Sequence, residues 1–123
     1  MEGKERIIIV DIDETLFKSR LICRFFRKVA QILFKLSLNL QKPNEELINK
    51  LRHYDKVVIL TARGVNYWNL TERQLQKHHV HYDEIIMCNY SKLIYTWKKS
   101  IVERICPDAW VDDIKSFGVE GYV

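Results

Sequence analysis

RIIIVDIDET, residues 6–15, decides the reading of this chain. Five positions, Ile7 to Val10 and Ile12, are β-branched and apolar, with no polar residue among the first four. An alternating pattern would suit a sheet with one wet face. A continuous run suits a central parallel strand covered on both faces. The run stops on Asp11-Ile12-Asp13, two carboxylates one residue apart at the carboxyl end of the strand.

The remaining elements follow from the same signals. Pro43-Asn44 opens a helix over EELINKLRHY, residues 45–54. KVVILT, residues 56–61, is a second buried strand, and residues 66–78 have a helical pattern. EIIMC, residues 84–88, reads as a third strand. A helix capped by Ser91 runs to about Ile105, where Pro107 ends it. AWVD, residues 109–112, is a short fourth strand, and GVEGYV, residues 118–123, a fifth.

Alternating strands and helices predict an α/β fold: a three-layer, Rossmann-like sandwich with a central parallel sheet and right-handed crossovers. A length of 123 residues suits a single domain, residues 1–123. Ligands of such sheets bind beyond the carboxyl ends of the strands. Polar residues cluster there: Asp11 and Asp13 after the first strand, Thr61-Ala62-Arg63 after the second, Asp112-Asp113 after the fourth.

That cluster has its own chemistry. Several carboxylates at one sheet edge repel each other and call for a cation, and hard oxygen donors suit magnesium. One carboxylate can attack phosphorus to form an acyl phosphate. A second can protonate the leaving group and later activate water. A hydroxyl at Thr61 can hold a phosphoryl oxygen, and a lysine ammonium can offset charge developing on it.

Together these residues resemble the haloacid dehalogenase superfamily of phosphatases. Asp11-Ile12-Asp13-Glu14-Thr15 fits its DxDxT motif, VVILTARG its second motif and AWVDD its fourth. A lysine-bearing helix stands where the third belongs, and the stations occur in family order over residues 6–117. The resemblance implies Asp11 as nucleophile and metal ligand. It makes Asp13 the general acid/base, with its backbone carbonyl on the metal, and Thr15 the residue that stabilises the turn. Thr61 would bind the phosphoryl group, with Ala62 and Arg63 as substrate-binding positions. Asp112 and Asp113 would complete the Mg2+ shell, Asp113 as the preferred direct ligand. Lys92, Lys98 and Lys99 compete for the lysine station. Lys98 is preferred because Ile101 and Ile105 then form the core face of its helix. Arg63 has two readings, contact with a second phosphate or nucleotide group, or a brace for the loop.

Residues 16–41 occupy the place of a cap domain and are too few to make one; they read as a helical insert. Arg20, Arg24, Arg27, Lys28, Gln31 and Lys35 share one arc of that helix, and the rest is mostly apolar. The insert can pack on the sheet or on a second copy, giving a homodimer. It can act as a minimal lid, or lie on an anionic membrane surface. The charges within Leu21–Leu40 argue against a transmembrane span.

A net charge of +4 favours acidic partners. LTARG, the later Thr71 and Leu75, and the YDEII strand are loosely similar to phosphatase domains of polynucleotide kinases and to some nucleotidases. The expected function is therefore a cytoplasmic phosphomonoesterase acting on a nucleotide or nucleic-acid phosphate. The alternatives are a sugar-phosphate or other small-molecule phosphatase, and a phosphate-binding or membrane-docked module without turnover. Cys23, Cys88 and Cys106 read as buried reduced thiols, and His53, His78, His79 and His81 as surface residues. Trp68, Trp97 and Trp110 read as core or half-buried, with base stacking as a further option for Trp68. The start, MEGKER, runs directly into the first strand and reads as free of a signal peptide.

Overall fold

The computed structural model describes residues 5–13, 15–18, 42–87 and 94–112. In chain order these form β1 (Ile7–Val10), β2 (Phe17–Lys18), β3 (Lys42–Pro43), α1 (Glu45–Leu51), β4 (Lys56–Thr61), a 3-10 turn (Val65–Tyr67), α2 (Trp68–Lys77), β5 (Glu84–Met87), α3 (Ile94–Ile105) and β6 (Ala109–Val111).

β1, β4, β5 and β6 form one parallel sheet in the order β5-β4-β1-β6. Ile9 of β1 pairs with Val58 on one side and Trp110 on the other. The chain therefore winds outward from β1 through β4 to β5, then returns across the sheet to the opposite flank of β1. The reversal lies between β1 and β6.

Alternation along the strands divides the core. Ile8, Val10, Val57, Ile59 and Ile85 face Leu47, Ile48 and Leu51 of α1 and Leu75 of α2. Ile9, Val58, Leu60 and Trp110 face Trp97, Ile101, Val102 and Ile105 of α3. Helices before the reversal lie on one face and the helix after it on the other, as right-handed crossovers require. Each fully buried Ile or Leu in these clusters is worth roughly 1.5–3 kcal/mol over an exposed one. The three-layer parallel α/β fold is thus as expected.

The amino edge of the sheet is closed by aspartates. Asp55, Asp83 and Asp108 accept the amides of Arg6, Val57 and Ile7 at 2.7, 2.8 and 2.8 Å. These bonds satisfy the first, otherwise unpaired, donors of β1 and β4.

Several boundaries differ from expectation. β1 ends at Val10, because the Asp11 amide makes its last ladder bond, to the Val111 carbonyl at 3.0 Å, and the chain then turns. α1 stops at Leu51, with successive turns at Arg52, His53 and Tyr54. Its N-cap is Asn44, whose Oδ1 accepts the Leu47 amide at 3.2 Å. The expected fifth strand, residues 118–123, lies outside the described residues, as do Ser91 and Cys88.

Residues 16–18 depart from the helical reading of residues 16–41. Leu16 is buried in the core, and Phe17–Lys18 pairs antiparallel with Lys42–Pro43. Apolar Leu16 and Phe17, both 0% exposed, serve the sheet core rather than an insert helix. Residues 19–41, and with them the basic arc and its readings, lie outside the described residues. None of the helices among the described residues is long and apolar enough to cross a membrane.

Cys106 is exposed, contrary to expectation: it ends α3 with φ 53°, a left-handed position that turns the chain out toward Pro107. Trp68 likewise departs from a core reading. It opens α2 with 38% of its surface exposed, whereas Trp110 is buried at 6%.

Candidate active site

The reversal between β1 and β6 is where an open parallel sheet leaves a crevice for ligands. Asp11 follows β1 and Asp112 follows β6, so the adjacent strands bring the two carboxyls to one place. The Lys98 ammonium of α3 lies between them, 2.9 Å from Asp11 Oδ1 and 2.8 Å from Asp112 Oδ2. All three are nearly inaccessible, with side-chain exposures of 10% for Asp11 and 1% for each of the others.

α3 reaches this position because Ile101, Val102 and Ile105 pack on the second core cluster. Lys98 lies one helical turn before Val102 and so points inward at the carboxyl end of the sheet. Lys99 is exposed, and Lys92 lies outside the described residues.

Among the described residues one ammonium faces these two carboxyls, which leaves them short of positive charge. Burial pushes the Asp11 carboxyl up to about 8 from an ordinary 3.8; Lys98 opposes the rise, while Asp112 and Asp13 add to it. Burial works against the charged form of Lys98 too, but Asp11 and Asp112 outweigh it and hold the lysine above its usual range.

Asp13 stands on the other side of Asp11 and has a different partner. Arg63 Nε donates to its Oδ2 at 3.1 Å and Nη2 to its Oδ1 at 3.0 Å, a bidentate pair. The guanidinium also donates to Thr71 Oγ1 and Gln74 Oε1 of α2, each at 2.9 Å. The arginine side chain is 1% exposed and the Asp13 side chain 19%. Of the two readings of Arg63, the buried brace is the one these bonds describe.

Thr61 ends β4 fully buried, and its hydroxyl accepts the Arg63 amide at 3.1 Å, which leaves its hydrogen to donate. Ala62 is exposed. The turn after β1 is built by the backbone: the Thr15 and Phe17 amides both donate to the Ile12 carbonyl at 3.1 Å. Asn44 ties that turn to α1 by donating to the Thr15 carbonyl at 3.3 Å. Thr15 Oγ1 itself is buried and has no hydrogen-bond partner among the described residues. The position of Thr15 therefore serves the turn through its main chain.

The donor set fits a small hard cation. Carboxyl oxygens converge where positive charge is lacking, and magnesium needs only one or two carboxylates because it keeps several waters. Among the described residues no group of three or more His, Cys, Asp or Glu is arranged as a ready cage, and Asp113 lies outside them. The histidines lie elsewhere: His78 packs against Phe17, and His81 is 3.8 Å from Asp83.

The sequence alone does not mark Gln74, and it marks Thr71 only through the loose likeness, with no role at the site. Their signal is a pair of polar side chains three apart beside Leu75, on the buried face of α2.

No family model and no curated protein matches the sequence. Among solved structures, a chain of the Pnkp1/Rnl/Hen1 complex is similar over 91% of this chain, with 18% identity and a TM-score of 0.61. A chain from the structure of the Pnkp1/Rnl/Hen1 RNA repair complex is similar over 92%, again with 18% identity and a TM-score of 0.61. This chain spans only 39% and 36% of those two chains. At that identity the likeness is one of fold.

Proposed function

We propose that the protein is a magnesium-dependent phosphomonoesterase of the haloacid dehalogenase type, with a nucleotide or nucleic-acid phosphate as substrate. The observation that carries this reading is the convergence of Asp11 and Asp112 on Lys98 at the sheet's reversal. The bidentate hold on Asp13 beside them supports it, since the reaction needs a second carboxyl of fixed direction.

In this reading Asp11 reacts as the carboxylate, its proton having passed to solvent, and Asp13 enters the step protonated; Lys98 binds Asp11 Oδ1 and Oδ2 attacks phosphorus. The bond from phosphorus to the leaving oxygen breaks as Asp13 gives that oxygen a proton, leaving an aspartyl-phosphate. Asp13 then takes a proton from water, which attacks phosphorus. The bond to Asp11 breaks, and inorganic phosphate departs. Thr61 donates its hydroxyl hydrogen to a phosphoryl oxygen, and Lys98 offsets charge on the others. Magnesium, held by Asp11, the Asp13 carbonyl, Asp112 and Asp113, would supply the positive charge that draws the proton from Asp11 and offsets the phosphoryl group.

The nucleic-acid preference has two supports, the net charge of +4 and the likeness in fold to chains of an RNA repair complex. The test is hydrolysis of aryl phosphates with and without magnesium, followed by nucleotides, 3′- and 5′-phosphorylated oligonucleotides, sugar phosphates and lipid phosphates. Magnesium-dependent release of phosphate, fastest on oligonucleotides and weakening as salt is added, is expected. Absence of turnover on every substrate would leave a binding module and overturn the enzyme reading.

A further inference from the structure

We infer that Thr71 and Gln74 of α2 are positioning residues that aim the Asp13 carboxyl at the leaving group, acting through Arg63. The inference rests on the proposed role of Asp13 as proton donor.

The Arg63 guanidinium is planar, and the two bonds to Asp13 fix the carboxyl in that plane. They do not fix the plane itself, because the arginine stem carries several rotatable bonds. Two further bonds do: Nη1 donates to Thr71 Oγ1 and Nη2 to Gln74 Oε1. A third tie holds the start of the loop, where the Arg63 amide meets Thr61 Oγ1. Asp13, the most exposed of the three described carboxyls of the site, is thereby referred to α2, which the Leu75 side chain anchors in the core.

A bond network made only to hold α2 on the sheet would not need these groups. Thr71 is 0% exposed and Gln74 9%, on a face whose neighbour Leu75 is wholly buried. Apolar side chains of similar size would hold the helix there without the cost of burying polar atoms. Two buried acceptors directed at one guanidinium, whose other edge grips a carboxylate, suit the support of a site that tolerates little misplacement. A bidentate arginine favours the ionised carboxyl, yet it leaves each oxygen a second lone pair through which a proton can be taken from water and passed to the leaving group.

The variants are Thr71→Val and Gln74→Leu, which keep size and remove the acceptors, with Arg63→Lys as a stronger break. Each is assayed with magnesium on phosphate monoesters whose leaving groups run from nitrophenols to simple alcohols. A nitrophenolate departs without a proton, whereas an alkoxide does not. The expected result is a loss of about tenfold on alkyl phosphates in kcat/KM, which reads the step in which the leaving group departs, a partial loss of general-acid catalysis. On nitrophenyl phosphates kcat/KM should stay within about twofold for Thr71→Val and Gln74→Leu, whereas kcat falls on both wherever water attack, which Asp13 also assists, limits turnover. Arg63→Lys should enlarge the loss on alkyl phosphates. Equal losses of kcat/KM across the series, or no loss in any variant, would overturn the inference while leaving the phosphatase reading standing. A wild-type protein inactive on the whole series would overturn both. Thermal melts of Thr71→Val and Gln74→Leu ensure that the rates compare folded proteins.

Discussion

The two halves of the site solve the burial of charge in opposite ways. Among the described residues between β1, β6 and α3, one lysine serves two carboxyls, and burial, with Asp112 and Asp13 nearby, pushes the Asp11 carboxyl up to about 8. Between β1, β4 and α2, one arginine grips the Asp13 carboxylate and reaches two neutral acceptors as well. The first half is short of positive charge and is suited to receive it from a ligand. The second has its charges matched among the described residues and is suited to hold still. A reaction that brings in a cation and a phosphoryl group needs a half that changes and a half that does not.

The largest expected effect removes the nucleophile from the charge-poor half. Asp11→Asn should cut magnesium-dependent phosphatase activity by at least about a thousandfold while far-ultraviolet circular dichroism stays native. Wild-type rates in this variant would show that Asp11 is not the nucleophile.

Breaking each half at its cation should separate them in stability. Lys98→Met leaves buried Asp11 and Asp112 facing each other, and urea denaturation should show a loss of about 3–5 kcal/mol. Arg63→Met leaves the partly exposed Asp13 to water and costs chiefly the buried acceptors Thr71 and Gln74, a loss of about 1–3 kcal/mol. Equal losses would mean that the halves are not differently solvated.

Proton affinity sharpens the contrast further. Between about pH 4 and pH 8 native Asp11 binds a proton that the unfolded chain has released, so without divalent cations this group makes stability fall as pH rises. Melting temperatures across that range should show a decline that Asp11→Asn flattens. Because a cation competes with that proton, magnesium should raise the wild-type melting temperature more at pH 8 than at pH 5.

The smallest expected effect lies outside both halves. Trp68→Ala, at an exposed position, should change stability by less than about 0.5 kcal/mol. Its KM should rise severalfold for a phosphorylated oligonucleotide and stay constant for an aryl phosphate if a base stacks there. An unchanged KM on both would remove Trp68 from substrate binding.

Aspartates show how far the sequence could be read. Asp55, Asp83 and Asp108 precede strands and accept backbone amides; Asp11 and Asp112 follow strands and meet Lys98. Position relative to a β-branched run separates the two sets, since the direction of a parallel strand determines which edge each Asp occupies. Lys98 was legible for a similar reason: the helical period places it near the apolar face that Ile101 and Ile105 define. Gln74 was not legible, because its partner lies eleven residues away on a loop whose course depends on packing.

Local chemistry in the sequence determined the strand runs, the helix between Pro43 and the second strand, and the edge at which the site carboxylates gather. Each depends on neighbours within a few residues or on the alternation of β and α elements. Tertiary structure alone decided that β6 lies beside β1, that Lys98 serves Asp11 and Asp112 together, and that Arg63 turns to α2 as well as to Asp13. It also decided the proton affinity of Asp11, because burial and charge at a point depend on every element that surrounds it.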